Sequence, residues 1–360
     1  MSMTTYRVRH PYVWIIGVSL LLTGAVWLTG LAIARDDLLP DAGPSWYYWQ
    51  LPEPTLLTRL SAWGGYLAHQ LAIWGIIYYA QTRVRTYSAG LHPINVIALA
   101  TNFGFIVLHL AQSLVFYDGL AQDVSIYSSQ GSVIALLVVV LLMENRRRGL
   151  FFGKKAPLSK RVVEVARRYH GYLFSWAIVY TFWYHPAENS SGHLIGFFYM
   201  FLLLAQGSLF LTRYHTNRAW TLTLEVMVLV HGALVALMQA GPTGFWPMFF
   251  FGFAGIFVIT QMHGVGWSLR TRWLIGAGYV LGVVGVYFYR GYDRIDEIVR
   301  IPIIEYALVF VLVLLVWPVV LVVDAVVDAV RRRRGSGTDP QRSPQATGVG
   351  GGEAGGSKLD

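Results

Sequence analysis

Histidine is the side chain in this sequence with the widest chemical range. Ten are present, and cysteine is absent. Without cysteine there are no disulfides, thiolate metal sites, iron–sulfur clusters, thioether-attached haem or cysteine nucleophile. Neutral imidazole binds zinc, copper and iron and is the axial ligand of b-type haem. Three histidines fall inside long apolar runs at matching depth. His69 lies nine residues past Leu60, His109 eight before Tyr117 and His231 eight before Gln239. At a rise of about 1.5 Å per residue, all three sit roughly 12–14 Å from the same end of their helices. His185 and His193 bracket a short polar loop at that end. His69, His109, His231, His185 and His193 are therefore the expected metal ligands. A buried imidazole also needs a partner for its second nitrogen, and Gln112, Ser113, Gln130 and Glu305 are the candidates.

A second pattern uses partly different histidines. His170 and His185 are 15 residues apart, and His215 and His231 are 16 apart. Both inner members occur as Arg-Tyr-His, at 168–170 and 213–215. Fifteen residues span roughly 22 Å of helix, the scale of two stacked haems. Across these four residues the chain resembles the membrane cytochrome b and ferric-reductase arrangement, with two histidines on each of two helices. The spacing is a residue or two longer than those families favour. The resemblance implies b-type haem held by His170, His185, His215 and His231.

The elements that must position these residues follow from composition. Of 360 residues, 55% are hydrophobic and 13% charged, against about 25% charged in a soluble domain. Mean hydropathy is +0.49. This excludes a disordered chain and points to an integral membrane protein. Ten apolar stretches are long enough to span: 12–34, 60–82, 93–117, 124–143, 169–185, 194–212, 219–239, 245–263, 272–289 and 302–327. With the N-terminus inside, 21 of the 28 basic residues fall on inner segments and five on outer ones. The positive-inside rule then predicts an all-α protein of about ten transmembrane helices in the cytoplasmic membrane, both termini cytoplasmic. The net charge of +9 marks cytoplasmic ends rather than nucleic-acid binding. Ala32-Ile33-Ala34 is similar to a signal-peptide cleavage site, but the apolar run before it is long for one, so an uncleaved helix is expected.

The basic loop 144–168 reads as a topology determinant with affinity for anionic lipid, its second half (Ser159 to Arg168) a surface helix. Trp46, Tyr47, Tyr48 and Trp49 read as an interfacial aromatic belt. Residues 1–334 form the membrane domain, and 335–360, rich in Gly, Ser and Pro, a disordered tail. His10, His92 and His263 read as interfacial residues. Glu225 is the most isolated intramembrane acid: protonated, paired with an arginine, or part of a proton path. Asp328 and Arg332, four apart, read as an ion pair. Asp36-Asp37 is similar to the first-loop motif of membrane glycosyltransferases. No phosphate-binding loop, nucleophile elbow, HExxH pair or desaturase histidine box is present.

Three functions are compatible with this pattern. The first is a metal or haem protein of the outer half-bilayer, serving membrane redox chemistry with a lipid or quinone-like partner. The second is a metal-dependent enzyme acting on a lipid, with the same histidines activating water. The third is a non-enzymatic transporter or assembly factor with Glu225, Glu305 and buried glutamines along its path.

Overall fold

The computed structural model describes residues 5–33, 35, 37, 38, 49–84 and 86–335, the last five by backbone alone. Asp36, Trp46 to Tyr48, the side chain of Arg332 and the tail beyond 335 lie outside the described residues, and with them the acidic pair, most of the aromatic belt, the Asp328–Arg332 pair and the tail. The protein is helical through 75% of its length, with no strands among the described residues. Two compact units divide it at Val313 and Leu314. Within the described residues, the second is the distal part of the last helix.

Ten α-helices follow one another among the described residues: α1 (Pro11–Ala32), α2 (Leu56–Arg83), α3 (Pro93–Phe116), α4 (Ile126–Glu144), α5 (Lys160–Phe182), α6 (Ser191–Ser208), α7 (Arg218–Ala240), α8 (Trp246–Ile256), α9 (Leu269–Arg290) and α10 (Glu297–Gly335). Each expected apolar stretch overlaps one of them. The starts are encoded locally. Thr55, Ser125, Ser159, Asn217 and Ser268 accept a backbone N–H from the first turn of α2, α4, α5, α7 and α9, satisfying donors that have no intrahelical partner. Proline opens α1 and α3, where its missing N–H costs nothing.

Among the described residues, six helices are long and apolar enough to cross a membrane: α1, α3, α4, α7, α9 and α10. α8 is shorter and continues as a π-helical turn, Phe257–Gln261. Outward faces are apolar: Leu21, Leu274, Leu281 and Tyr289 are each at least 70% exposed. Water would penalise such a surface, whereas hydrocarbon does not.

The fifth apolar stretch is short enough to borrow residues from the loop before it, and it does; its far end is what differs from expectation. The surface helix and the fifth span are one continuous helix, Lys160–Phe182, so the chain turns three residues before His185. Proline at 186 disfavours helical backbone at the residue before it. The turn that follows is then held by its neighbours. Leu120 donates to the Trp183 carbonyl (3.0 Å), Ala121 to the Tyr184 carbonyl (2.7 Å) and Ala187 to Ser113 Oγ (2.8 Å). Trp183, Tyr184 and Ala187 are at most 1% exposed, and with Tyr66, Ile106, Phe182, Phe197 and Phe201 they form an aromatic core shared by α2, α3, α5 and α6.

Two glycines permit this packing. A Cβ on Gly65 of α2 would sit 2.2 Å from the Trp183 ring, and one on Gly119 would sit 2.6 Å from the Tyr184 carbonyl oxygen. Beside Gly119, Asp118 is 3% exposed. Its Oδ1 accepts the Gly119 N–H (2.8 Å) and its Oδ2 has no partner. Burial, the largest influence, raises its carboxyl above the usual aspartate range. A raised carboxyl favours the folded state most when protonated. This contribution is complete below the unfolded aspartate value of about 4 and is lost as pH rises through the folded value. Asp118→Asn keeps the Gly119 bond and cannot ionise. Its melting temperature is expected to match the wild type near pH 4 and to exceed it increasingly towards pH 7. An unchanged difference between the two pH values would show that Asp118 does not titrate with folding.

Candidate functional site

α3 carries the polar seam of the bundle. Asn95, Asn102 and His109 recur every seven residues on one buried face. Asn95 Nδ2 donates to the Ser208 and Phe210 carbonyls (2.8 and 2.9 Å), and Asn102 Nδ2 to Ser208 Oγ (2.9 Å), tying α3 to the end of α6. Asn102 Oδ1 faces His69 Nε2 at 2.8 Å, and Trp183 Nε1 lies 3.2 Å from His69 Nδ1. An indole nitrogen only donates, so His69 Nδ1 is the acceptor and its proton rides on Nε2. His69 is thus fully buried with both nitrogens engaged, and metal ligation there requires one of these bonds to break.

The other four histidines expected at this end gather a layer further out. His109, 1% exposed, places Nε2 3.2 Å from the His185 carbonyl, while its Nδ1 has no hydrogen-bond partner. With the proton on Nε2, Nδ1 is a bare acceptor in a pocket walled by Phe182, Trp183 and Phe197. The rings of His185 and His193 are 4.4 Å apart at 82°. Trp49 lies over both, 4.2 Å from His193 and 5.8 Å from His185. Ser190, at the start of α6, does not cap its helix; its hydroxyl pairs with His193 Nδ1 at 2.6 Å. His231 comes from α7 and stands within electrostatic reach of His185 and His193. Gly196 admits it to α6, since a Cβ there would lie 3.2 Å from His231 Nε2. Among the described residues, no three His, Asp or Glu side chains already form a metal-ligand group.

At the opposite end, His170 of α5 and His215 of the α6–α7 turn face each other with ring centres 6.0 Å apart. His170 Nδ1 donates to the Arg167 carbonyl (2.8 Å), and His215 Nδ1 lies 3.0 Å from the Gln206 carbonyl. The proton on His170 Nδ1 leaves its Nε2 as an acceptor, while His215 Nδ1 also faces the Gln206 side-chain amide nitrogen at 3.2 Å. Burial, reinforced by His170, lowers His215 to about 4, so it is neutral at physiological pH, the form that binds metals.

Of the expected supporting residues, Ser113 holds the Ala187 N–H and Gln112 donates to Ser61 Oγ (3.1 Å) and the Asp118 carbonyl (3.0 Å). Gln130 is exposed on α4. Glu305 is buried on α10 with Oε2 unpartnered, and no hydrogen bond joins it to a histidine. Glu225 takes the second of its three expected roles: it pairs with Arg148 at 2.5 Å. Asn102, Trp183, Ser190 and Arg148 emerge only from the packing, although the seven-residue polar repeat on an otherwise apolar α3 was visible beforehand.

Fold and site define an all-helical protein with several membrane-length apolar helices and two histidine groups. Comparison with protein-family models, curated proteins and solved structures finds no match to this chain.

Proposed function

We propose that this is a ten-span protein of the cytoplasmic membrane, with both termini inside, that holds a metal ion or b-type haem in its outer half for electron transfer. The bias of basic residues to one set of connecting segments supports the topology. The observation that carries the functional reading is the bare, buried Nδ1 of His109, whose Nε2 faces the His185 carbonyl. A buried acceptor left without a partner costs about 1–3 kcal/mol; a bound cation would remove that cost, with His185, His193 and His231 as the further ligands proposed to close in around it. The 4.4 Å between the His185 and His193 rings suits two imidazoles bound at right angles to one ion, given metal–nitrogen bonds of about 2 Å. Aromatic walls exclude water, which favours electron transfer over hydrolysis.

The facing pair of His170 and His215 favours a second reading, in which a further centre sits near the inner surface and electrons cross between the two. A lipid-soluble, quinone-like carrier is the partner this placement suits.

The test is spectroscopic and analytical. Protein purified in mild detergent is expected to show a Soret band or about one equivalent of iron, copper or zinc. His109→Ala, His185→Ala and His231→Ala should each lower that content severalfold. His69→Ala should leave it unchanged, because His69 serves the packing. Equal content in all four variants would overturn the outer site. A loss restricted to His170→Ala and His215→Ala would transfer the function to the inner pair.

A further inference from the structure

Away from the histidine groups, a cavity of about 660 Å³ opens between the N-terminal segment and the α6–α7 turn, with Arg7, Arg9, Tyr12, Arg213, Tyr214 and Asn217 among its lining residues. Its walls are firmly built. Tyr6 and Leu91 exchange two backbone bonds of 2.8 Å, and Arg213 donates its N–H to the Ser88 carbonyl (2.9 Å). The Tyr214 hydroxyl both accepts the Val8 N–H and donates to the Val8 carbonyl (3.2 Å each), while the Tyr12 hydroxyl reaches the Tyr214 carbonyl (3.1 Å). Tyr12 also stacks on Trp220 at 5.0 Å. Three chain segments far apart in sequence are thereby fixed around one opening.

The charge within that frame is unbalanced. No aspartate or glutamate lines the cavity, and among the described residues Arg7, Arg9 and Arg213 have no carboxylate partner. Seven other arginines (35, 59, 147, 148, 161, 290 and 300) each have one. Arg7, Arg9 and Arg213 are exposed at this opening, so an anion entering it meets basic side chains with no competing carboxylate. The guanidinium fork matches phosphate oxygens in pairs. The starts of α1 and α7, at Pro11 and Arg218, border the cavity and add the positive ends of their helix dipoles.

We propose that this cavity is a phosphate-binding site, independent of the histidine centres. Arg7, Arg9 and Arg213 grip the phosphate oxygens, with Tyr12, Tyr214 and Asn217 forming the neutral wall. The phosphate belongs either to the headgroup of an anionic phospholipid or to a free phosphate ester.

The experiment uses the full chain, delipidated in detergent, and two probes. One arm adds phosphatidylglycerol and counts bound lipid by native mass spectrometry; the other titrates inorganic phosphate and glycerol 3-phosphate by calorimetry. One equivalent is expected in at least one arm. Arg9→Gln combined with Arg213→Gln should weaken binding at least tenfold, while Arg83→Gln, away from the cavity, should leave it unchanged. Binding in the lipid arm alone identifies a headgroup site; binding of the soluble probes identifies a free ester. A second readout is ionic strength: wild-type binding should fall steeply as salt rises. Absence of binding in both arms, or equal salt-insensitive binding by wild type and the double variant, overturns the site.

Discussion

Replacing Arg148 with methionine is expected to destabilise the protein by about 3–5 kcal/mol, the cost of breaking a buried ion pair from one side. The Arg148 side chain is 1% exposed. Its Nε reaches Glu144 at 2.8 Å, and its terminal nitrogen reaches Glu225 at 2.5 Å and the Gln261 carbonyl at 3.0 Å. One guanidinium thus joins the end of α4, the middle of α7 and the π-helical turn after α8. Methionine retains most of the apolar stem, so the loss isolates the charge and its bonds. It strands Glu225, which is mostly buried, without a counter-ion. Adding Glu225→Gln to Arg148→Met removes the stranded charge, and the double variant is expected to melt above the Arg148→Met single variant. The coupling falls in the range of about 0.5–3 kcal/mol found for residues in contact. Melting curves of the four proteins in one detergent measure it. Additive effects would mean that Arg148 and Glu225 do not act as a pair.

The second large effect is at a glycine. Gly65→Ala is expected to cost about 2–5 kcal/mol, combining overpacking with the loss of a buried hydrogen bond. The new Cβ would fall 2.2, 2.4 and 2.9 Å from three atoms of the Trp183 ring. That ring is fully buried among Phe182, His109 and the other aromatics of the core, so it has nowhere to retreat. If it does shift, its N–H leaves His69 Nδ1. The adjacent Gly64 supplies an unusually clean control, because a Cβ there meets nothing within 4 Å. Gly64→Ala should be neutral or stabilising by up to about 1 kcal/mol, from helix propensity alone. Two neighbouring glycines, changed identically, are therefore expected to move the melting temperature in opposite directions. Near-ultraviolet circular dichroism should report the displaced Trp183 in the first variant and not in the second. Identical behaviour of the two variants would remove the close approach from the account.

Much of the architecture was legible in advance because membrane-length helices announce themselves by composition. The ten apolar stretches each meet a helix, since a long apolar run with capping residues at its start has few other options. The end of α5 is one boundary that moved. Hydropathy continued the span to residue 185, but Pro186 and the bonds from Leu120, Ala121 and Ser113 end the helix at Phe182. Depth along a helix was also legible, and it placed five histidines towards one end. What depth omits is rotation and lateral partnership. Counted along the helices His69 matches His109, but in the bundle it faces Asn102 and Trp183, so its nitrogens are engaged, whereas His109 keeps one bare. Arg148, read as one of many topology-setting charges, is instead drawn inside by two glutamates.

The sequence alone determined the helical class, the apolar surfaces and the scarcity of buried ionisable groups, because those depend on composition and local pattern. Tertiary structure alone decided which imidazoles meet, which arginines are paired and which are left at the mouth of a cavity. Such decisions depend largely on contacts between residues distant in sequence, set by the rotation of each helix and by glycines that let two backbones or rings approach. Neither quantity is written in the hydropathy of any single segment.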